Sequence, residues 1–122
     1  MKKRLIEQCD RFFSLLVRSK KYCERCGTTG QALECSHIFS RRYYFLRWRA
    51  DNAMCLCREC HAWWHANPHE AMAWAESKIG KGKVDSLRLE ANEVAKFQVS
   101  DLRILKQTLK TEVKKAQNVK KG

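Results

Sequence analysis

Two Cys-x-x-Cys pairs constrain the fold of this chain more than any other feature. Cys23 and Cys26 form the first pair, and Cys57 and Cys60 form the second. Each pair can present two thiolates from one tight turn, and two such turns complete a tetrahedral site for zinc. In a chain of 122 residues such a site supplies roughly 10 kcal/mol of folding free energy. The sequence therefore predicts a structural Zn²⁺ site with these four cysteines as ligands.

The cysteine count and the start of the chain bear on the cellular compartment. The seven cysteines are an odd number, and the residues after Met1 mix charged with apolar side chains, unlike a signal peptide. No stretch is apolar for long enough to span a bilayer. We expect an intracellular, cytoplasmic protein that contacts no membrane, in which the paired cysteines bind metal instead of forming disulfides.

The hydrophobic pattern predicts an α+β fold that is mostly helical, with a small zinc-stabilised ββα centre between an N-terminal helix and C-terminal helices. Apolar residues recur at helical spacing over residues 3–18. Residues 33–38 and 53–56 suit two short strands, and residues 58–66 suit a helix. The loop between the strands, 39–51, is rich in arginine and aromatic residues.

Three more helices are predicted after this centre. Asn67 is expected to cap the first, with Glu70 completing a capping box, and Ile79 is expected to end it. Ser100 is expected to cap the last. The helix between them is expected to carry one apolar face, made of Val84, Leu87, Ala91 and Val94.

These elements suggest one domain with four regions. The regions are a basic amphipathic helix (1–22), a zinc-stapled core (23–66), a C-terminal helical region (67–116) and a basic tail (117–122).

The charge of the chain predicts a polyanionic partner. Lys and Arg outnumber acidic residues 25 to 13, which gives a net charge of +12. The arginine-rich loop alternates cations that bind phosphate with aromatic rings that stack on bases. We predict that its arginines bind DNA, with Arg41 as the first phosphate contact; the set is Arg41, Arg42, Arg47 and Arg49. The alternative is that the loop packs as the lid of a small core while its arginines are merely solvated; the packing residues would be Tyr43, Phe45, Leu46 and Trp48. We expect both to be partly true, with Leu46 and Trp48 inside.

The histidines form a second constellation. All four lie between positions 37 and 69. His37 ends the first predicted strand and Asn52 precedes the second. His61 and His65 lie one turn apart on the predicted helix that follows Cys60, a spacing typical of metal ligands on a helix.

The order of these motifs resembles the HNH (ββα-metal) endonuclease superfamily. The likeness rests on residues 23–65: a Cys-x-x-Cys pair, a strand-borne His, an Asn, and then a second pair that runs into His61 and His65. More narrowly, Cys35-Ser36-His37-Ile38 with Ser40-Arg41, Leu46-Arg47-Trp48 and Asn52 looks like the phage NinG (Rap) recombination-nuclease family. Similarity to the flanks of that family extends the resemblance over most of the chain.

The superfamily resemblance implies a role for each matching residue. His37 is expected to act as the general base, and Asn52 to steady the loop and orient that base. His61 and His65 are expected to bind one catalytic divalent cation, Mg²⁺, Mn²⁺, Ni²⁺ or Zn²⁺. Imidazole ligands suit the transition metals better than Mg²⁺.

Two positions depart from the expected patterns. Ser36 stands where many members of the superfamily carry an Asp or His that helps to bind the metal, so either Cys35 or solvent must fill that place. The NinG-like family also tends to carry Asn where this chain has His61, which fits the wider HNH pattern better.

The expected function is hydrolysis of phosphodiester bonds in DNA, and the NinG resemblance implies branched recombination intermediates as substrates. Symmetric cleavage of a four-way junction would require a homodimer. Two other functions remain open: a non-catalytic zinc-stabilised DNA-binding protein, and a phage- or mobile-element-encoded protein that docks on recombination or packaging proteins. A thioredoxin-like redox role fits the paired cysteines less well.

Overall fold

The chain folds as a short antiparallel hairpin between helices. The structure, a computed structural model, describes residues 1–30 and 32–119. The elements in chain order are α1 (Lys2–Arg18), β1 (Leu33–His37), a 3₁₀ turn (Ala50–Asn52), β2 (Ala53–Cys57), α2 (Arg58–Ala66), α3 (Pro68–Ile79), α4 (Lys81–Glu90) and α5 (Val99–Val119). The expected α+β, mostly helical class with a ββα centre is therefore confirmed. None of the helices in the described ranges is long and apolar enough to cross a membrane.

The two strands present different side chains to the two helical layers. β1 and β2 pair antiparallel, with Cys35 opposite Cys55. Because side chains alternate along a strand, Cys35 and His37 share one face of β1, whereas Glu34 and Ser36 share the other. The first face packs against α1, and the second faces α2. The residues of β1 therefore reach both sides of the hairpin.

Two cores hold the hairpin, because a pair of short strands is not stable alone. One core lies between the sheet and helices α2, α3 and α4; it includes Leu46, Leu56, Trp64, Ala75 and Leu87. The other lies between the sheet and helices α1 and α5; it includes Cys9, Phe13, Trp48, Cys55 and Leu102. The expected burial of Leu46 and Trp48, two residues of the arginine-rich loop, is confirmed.

The predicted capping box at the start of α3 is wrong. The Asn67 side chain makes no capping hydrogen bond to α3. Its Nδ2 instead donates to the backbone carbonyl of Trp63 at 3.1 Å. Asn67 therefore closes the last turn of α2, and Pro68 begins α3 with its dihedral angle already suited to a helix.

The predicted boundaries around α4 and α5 also change. Val94 lies beyond the end of α4 and is 81% exposed, since Val84 and Leu87 already fill the buried face of this short helix. α5 begins at Val99, so Ser100 lies inside it, and the Asp101 carboxylate accepts a hydrogen bond from the Gln98 backbone amide at 2.8 Å. α5 continues to Val119, within the predicted basic tail (117–122), and residues 120–122 lie outside the described part of the chain.

Candidate active site and metal centre

The four paired cysteines come together in one cluster. The sulfur atoms of Cys23, Cys26, Cys57 and Cys60 all lie within 4.8 Å of one another. Tetrahedral zinc–thiolate bonds require sulfur atoms about 3.8 Å apart, and the Sγ atoms of Cys26 and Cys57 lie 3.8 Å apart. Four sulfur donors at this spacing fit a closed structural zinc site.

Each pair is shaped by its own backbone. The Cys26 amide lies 3.5 Å from Cys23 Sγ, and the Cys60 amide donates to Cys57 Sγ at 3.4 Å. The first turn closes at Gly27, whose φ of 77° is a conformation that favours glycine. Cys57 also occupies the N-cap position of α2. The cluster therefore anchors the start of the helix that carries His61 and His65.

Hydrogen bonding acts on one cysteine of the first pair, Cys23. Burial alone would raise the pKa of the Cys23 thiol, but backbone hydrogen bonds to its sulfur lower this pKa to about 6. Arg25 lies beside the cluster, where its Nη1 donates to Cys60 Sγ at 3.4 Å. The Arg25 guanidinium also stacks 3.5 Å above the ring of Trp63. The lowered pKa of Cys23 favours its thiolate, the form that binds zinc. Arg25 offsets only part of the effect of burial on Cys60, whose pKa is raised to about 12.

A cleft of about 680 Å³ lies along β1, between α1 and α2. It brings together three of the four residues predicted to be catalytic, His37, His61 and His65. One predicted DNA contact, Arg41, also lines it. The cleft is therefore the candidate active site.

His37 is held by the loop that follows it. Its Nε2 lies 2.9 Å from the backbone carbonyl oxygen of Arg47, and its ring centroid lies 5.6 Å from that of Phe13. Burial lowers the pKa of His37 below its ordinary value of 6.5 and outweighs the opposite effect of the hydrogen bond to Arg47. The imidazole is therefore neutral at pH 7.

Asn52 lies outside the cleft and ties together the two ends of the loop. It is 0% exposed. Its Oδ1 accepts from the Phe39 amide at 2.9 Å, and its Nδ2 donates to the carbonyl oxygens of Phe39 and Leu46 at 2.9 and 3.2 Å. Its own backbone carbonyl accepts from the Ile38 amide at 2.8 Å. These bonds fix the path of the chain from β1 to the loop.

His61 and His65 converge from adjacent turns of α2. Their Nε2 atoms lie 3.2 Å apart. Two imidazoles on a tetrahedral ion with bonds near 2.1 Å would place these atoms about 3.4 Å apart. The pair therefore fits a metal ion with open positions for water or substrate. On the other edge of the His61 ring, Nδ1 lies 2.8 Å from Glu34 Oε1.

The residues just before His37 do not add a clear metal ligand. Ser36 is 2% exposed, so its hydroxyl is enclosed by the core. Cys35 lines the cleft on the His37 face of β1, but burial raises the pKa of its thiol to about 12. Cys35 also lies on the face of β1 that packs against α1, opposite the face from which Glu34 contacts His61.

The four arginines of the loop have different surroundings. Arg41 is 61% exposed at its side chain, and Arg42 is exposed. Arg47 forms a two-pronged ion pair with Asp10 at 3.0 and 2.6 Å. Arg49 pairs in the same way with Asp51 at 3.2 and 2.8 Å and also contacts Glu90. Arg41 Nη1 also lies 3.6 Å from Asp10 Oδ2, in a longer and more exposed ion pair than that of Arg47. Arg41 and Arg42 are therefore the more exposed two of the four, and Arg47 and Arg49 are held more closely within the protein.

Sequence reasoning missed three charged residues that line this cleft. They are Asp10 and Arg18 of α1 and Glu34 of β1. Asp10 and Arg18 were hidden in the amphipathic pattern of α1. The alternation of β1 could have placed Glu34 on the α2 face, but no spacing rule pairs it with His61.

Comparison with protein families agrees with this geometry. Residues 23–67 match a family model described as HNH endonuclease. The matched segment contains both cysteine pairs, the hairpin, His37, Asn52 and the two histidines of α2. The match supports placing this segment in the HNH superfamily, with the nuclease-type function, DNA binding and divalent metal that this class implies. No curated protein and no solved structure matches the chain.

Proposed function

We propose that this chain is a metal-dependent HNH endonuclease that hydrolyses phosphodiester bonds in DNA. The observation that carries the proposal is the cleft itself, which His37 and the His61–His65 pair line together. The family match over residues 23–67 supports the same class.

His37 is the proposed general base. A carbonyl oxygen can only accept a hydrogen bond, so the contact with Arg47 places the imidazole proton on Nε2. Nδ1 then has a free lone pair and can take a proton from an attacking water. The lowered pKa of His37 keeps this lone pair available at neutral pH. Asn52 acts at a distance, because it fixes the loop that carries the Arg47 carbonyl.

His61 and His65 are the proposed ligands of the catalytic cation. A divalent ion there would bind the scissile phosphate and stabilise charge on the leaving 3′ oxygen. The two imidazoles hold that position one turn of helix away from the structural cysteine cluster. Their nitrogen donors favour Ni²⁺, Zn²⁺ or Mn²⁺ over Mg²⁺.

Arg41 and Arg42 are the proposed phosphate contacts beside the cleft. Both are exposed, and a guanidinium can bind two phosphate oxygens at once. Arg47 and Arg49 are proposed to shape the loop through their ion pairs and thereby to present the other two. Lysines near both ends of the chain add affinity for DNA that does not depend on the DNA sequence.

Branched recombination intermediates are the proposed substrates, and the resemblance to the NinG family supports this narrower assignment. A homodimer would supply the two active sites that symmetric junction cleavage needs. Phage recombination or packaging proteins are the corresponding proposed partners. The assignment is tested by the cleavage rates on a four-way junction and on a linear duplex of the same sequence. Equal cleavage rates would contradict it.

A nicking assay on supercoiled plasmid tests the proposed activity. Wild type, His37→Ala and His69→Ala are compared with Mg²⁺, Mn²⁺, Ni²⁺, Co²⁺, Zn²⁺ and chelator. His69 is an exposed histidine of α3 outside the cleft and therefore a matched control. We expect metal-dependent nicking by wild type and His69→Ala. We expect His37→Ala to bind DNA without nicking it.

A non-catalytic zinc-stabilised DNA-binding module is the second candidate. The enclosed Ser36 favours it, because the superfamily places a metal ligand at that position. Salt-dependent DNA binding without nicking under any metal would establish this second function and exclude the first.

A further inference from the structure

Glu34 and the two histidines of α2 form one hydrogen-bonded row. Glu34 Oε1 lies 2.8 Å from His61 Nδ1, and His61 Nε2 lies 3.2 Å from His65 Nε2. A carboxylate can only accept, so His61 donates through Nδ1. His61 Nε2 is then the unprotonated nitrogen and points at His65. This is the tautomer that a metal ion at Nε2 requires.

The geometry separates Glu34 from the position of the ion. Nδ1 and Nε2 occupy opposite edges of an imidazole ring, so a carboxylate on Nδ1 is remote from an ion shared by the two Nε2 atoms. Among residues 1–30 and 32–119, the one cluster with three or more converging ligand atoms is the set of four cysteines. Glu34 therefore acts through His61 and does not bind the ion directly.

The need for such a residue follows from the small number of ligands. Ser36 is enclosed, and Cys35 lies on the opposite face of β1 from Glu34, the residue that contacts His61. Two imidazoles are then the protein ligands in the cleft, and the strength of each donor matters. A carboxylate behind a metal-binding histidine fixes the ring and makes its other nitrogen more basic.

We propose that Glu34 is a positioning residue that holds His61 in the Nδ1-protonated tautomer and thereby raises the affinity of the cleft for its divalent cation. This inference rests on the proposed function, since it assigns the ion to His61 and His65. It adds a residue of β1 to that site. It also explains how the site can bind metal with serine at position 36.

Nickel binding to the zinc-loaded full-length chain tests the proposal. The Kd for Ni²⁺ is measured by calorimetry in wild type, Glu34→Ala, Glu34→Gln and Glu70→Ala. Glu70 is an exposed glutamate of α3 and controls for the loss of a negative charge. We expect Glu34→Ala to weaken binding by about 10- to 100-fold. We expect Glu34→Gln to weaken it less, because an amide oxygen still accepts from Nδ1, and Glu70→Ala to match wild type.

Long-range ¹H–¹⁵N spectra of the same proteins without nickel read the tautomer directly. We expect Nδ1-protonated His61 in wild type and Glu34→Gln, and loss of this form in Glu34→Ala. Zinc content and the circular dichroism spectrum show whether each variant keeps its fold. An unchanged Kd in Glu34→Ala would overturn the proposal. So would an equal loss in the Gln and Ala variants with an unchanged tautomer, since that result would make Glu34 a direct ligand.

The nuclease function and the role of Glu34 can be tested separately. A wild-type chain that never nicks DNA but shows the expected Glu34 effect on nickel binding would overturn the nuclease function and leave the role of Glu34 standing. A His61→Ala variant that binds nickel as tightly as wild type would place the ion elsewhere and overturn the role of Glu34.

Discussion

The backbone carbonyl oxygen of Arg47 lies 2.9 Å from Nε2 of His37 and fixes the orientation of its ring. The Arg47 side chain is in turn held by Asp10 of α1. The position of the proposed base therefore depends on an ion pair between the loop and the N-terminal helix.

Replacement of Asp10 should damage both stability and activity. In Asp10→Ala the loop loses the two-pronged bond to Arg47 and the 2.9 Å bond from Trp48 Nε1. Hydrogen bonds to a charged group contribute about 1.5–3 kcal/mol, so we expect a loss of about 2–3 kcal/mol in urea unfolding and slower nicking. Glu7→Ala, an exposed change on the same helix, should leave both unchanged. Full nicking activity in Asp10→Ala would show that the position of His37 does not depend on the Asp10–Arg47 ion pair.

Replacement of Asn52 should have a larger structural effect. Asn52→Ala would leave the Phe39 amide and carbonyl without the Asn52 side chain as their partner. It would also remove one of the two hydrogen bonds to the Leu46 carbonyl, which keeps the Arg49 amide. Unsatisfied buried groups cost about 1–3 kcal/mol each, so we expect an unfolding free energy lower by about 3 kcal/mol and a strong loss of nicking. Asn92→Ala, at an exposed asparagine, is the matched control. Wild-type stability in Asn52→Ala would remove its assigned role in the loop.

The pH dependence of nicking should report the state of His37. Burial lowers its pKa in the folded chain below the ordinary value of 6.5, so the neutral ring is the form that the fold favours. Its contribution to stability is complete above pH 6.5 and is lost as the pH falls through the lowered pKa. We expect kcat/KM to be constant near neutrality and to fall on the acid side of pH 6.5. His69→Ala should show the same profile, and an acid limb centred above pH 6.5 would exclude His37 as its source.

Arg41 and Arg49 should respond differently to removal. Arg41→Ala removes an exposed cation, so we expect weaker DNA binding. The slope of the logarithm of the binding constant against the logarithm of salt concentration should become smaller by about one. Arg49→Ala removes ion pairs to Asp51 and Glu90, so we expect a stability loss of up to about 1 kcal/mol and a smaller change in the salt slope. Salt-dependent binding measurements and urea unfolding of both variants check this. Equal salt slopes in the two variants would contradict the assignment of Arg41 to DNA binding and of Arg49 to the loop structure.

The sequence was sufficient for features that depend on local spacing. Such features include the helical repeat of α1 and the alternation of the strands, which follow from the backbone period of a helix or a strand. The Cys-x-x-Cys spacing is likewise local, because both cysteines lie on one tight turn. The contacts that shape the cleft are different, because Asp10 lies far from Arg47 along the chain, and Glu34 lies far from His61. Only the packing of α1 and α2 against the hairpin brings these charges together. The packing of α1 also paired Arg47, which the sequence placed among the exposed cations, with Asp10. Arg49 instead pairs with its near neighbour Asp51 and with Glu90 of α4.

Zinc removal should abolish the cleft as well as the cysteine site. Cys57 both joins the cysteine cluster and occupies the N-cap of α2, so the helix that carries His61 and His65 begins at this cluster. A structural zinc supplies roughly 10 kcal/mol or more of folding free energy, which is comparable to the whole stability of a small domain. We expect a strong chelator or Cys57→Ser to remove the cooperative unfolding transition and helical circular dichroism together with nickel binding. Cys35→Ser, which changes a cysteine outside the cluster, should retain one zinc per chain by atomic absorption. A zinc-free chain that still unfolds cooperatively would show that the two hydrophobic cores suffice to position α2.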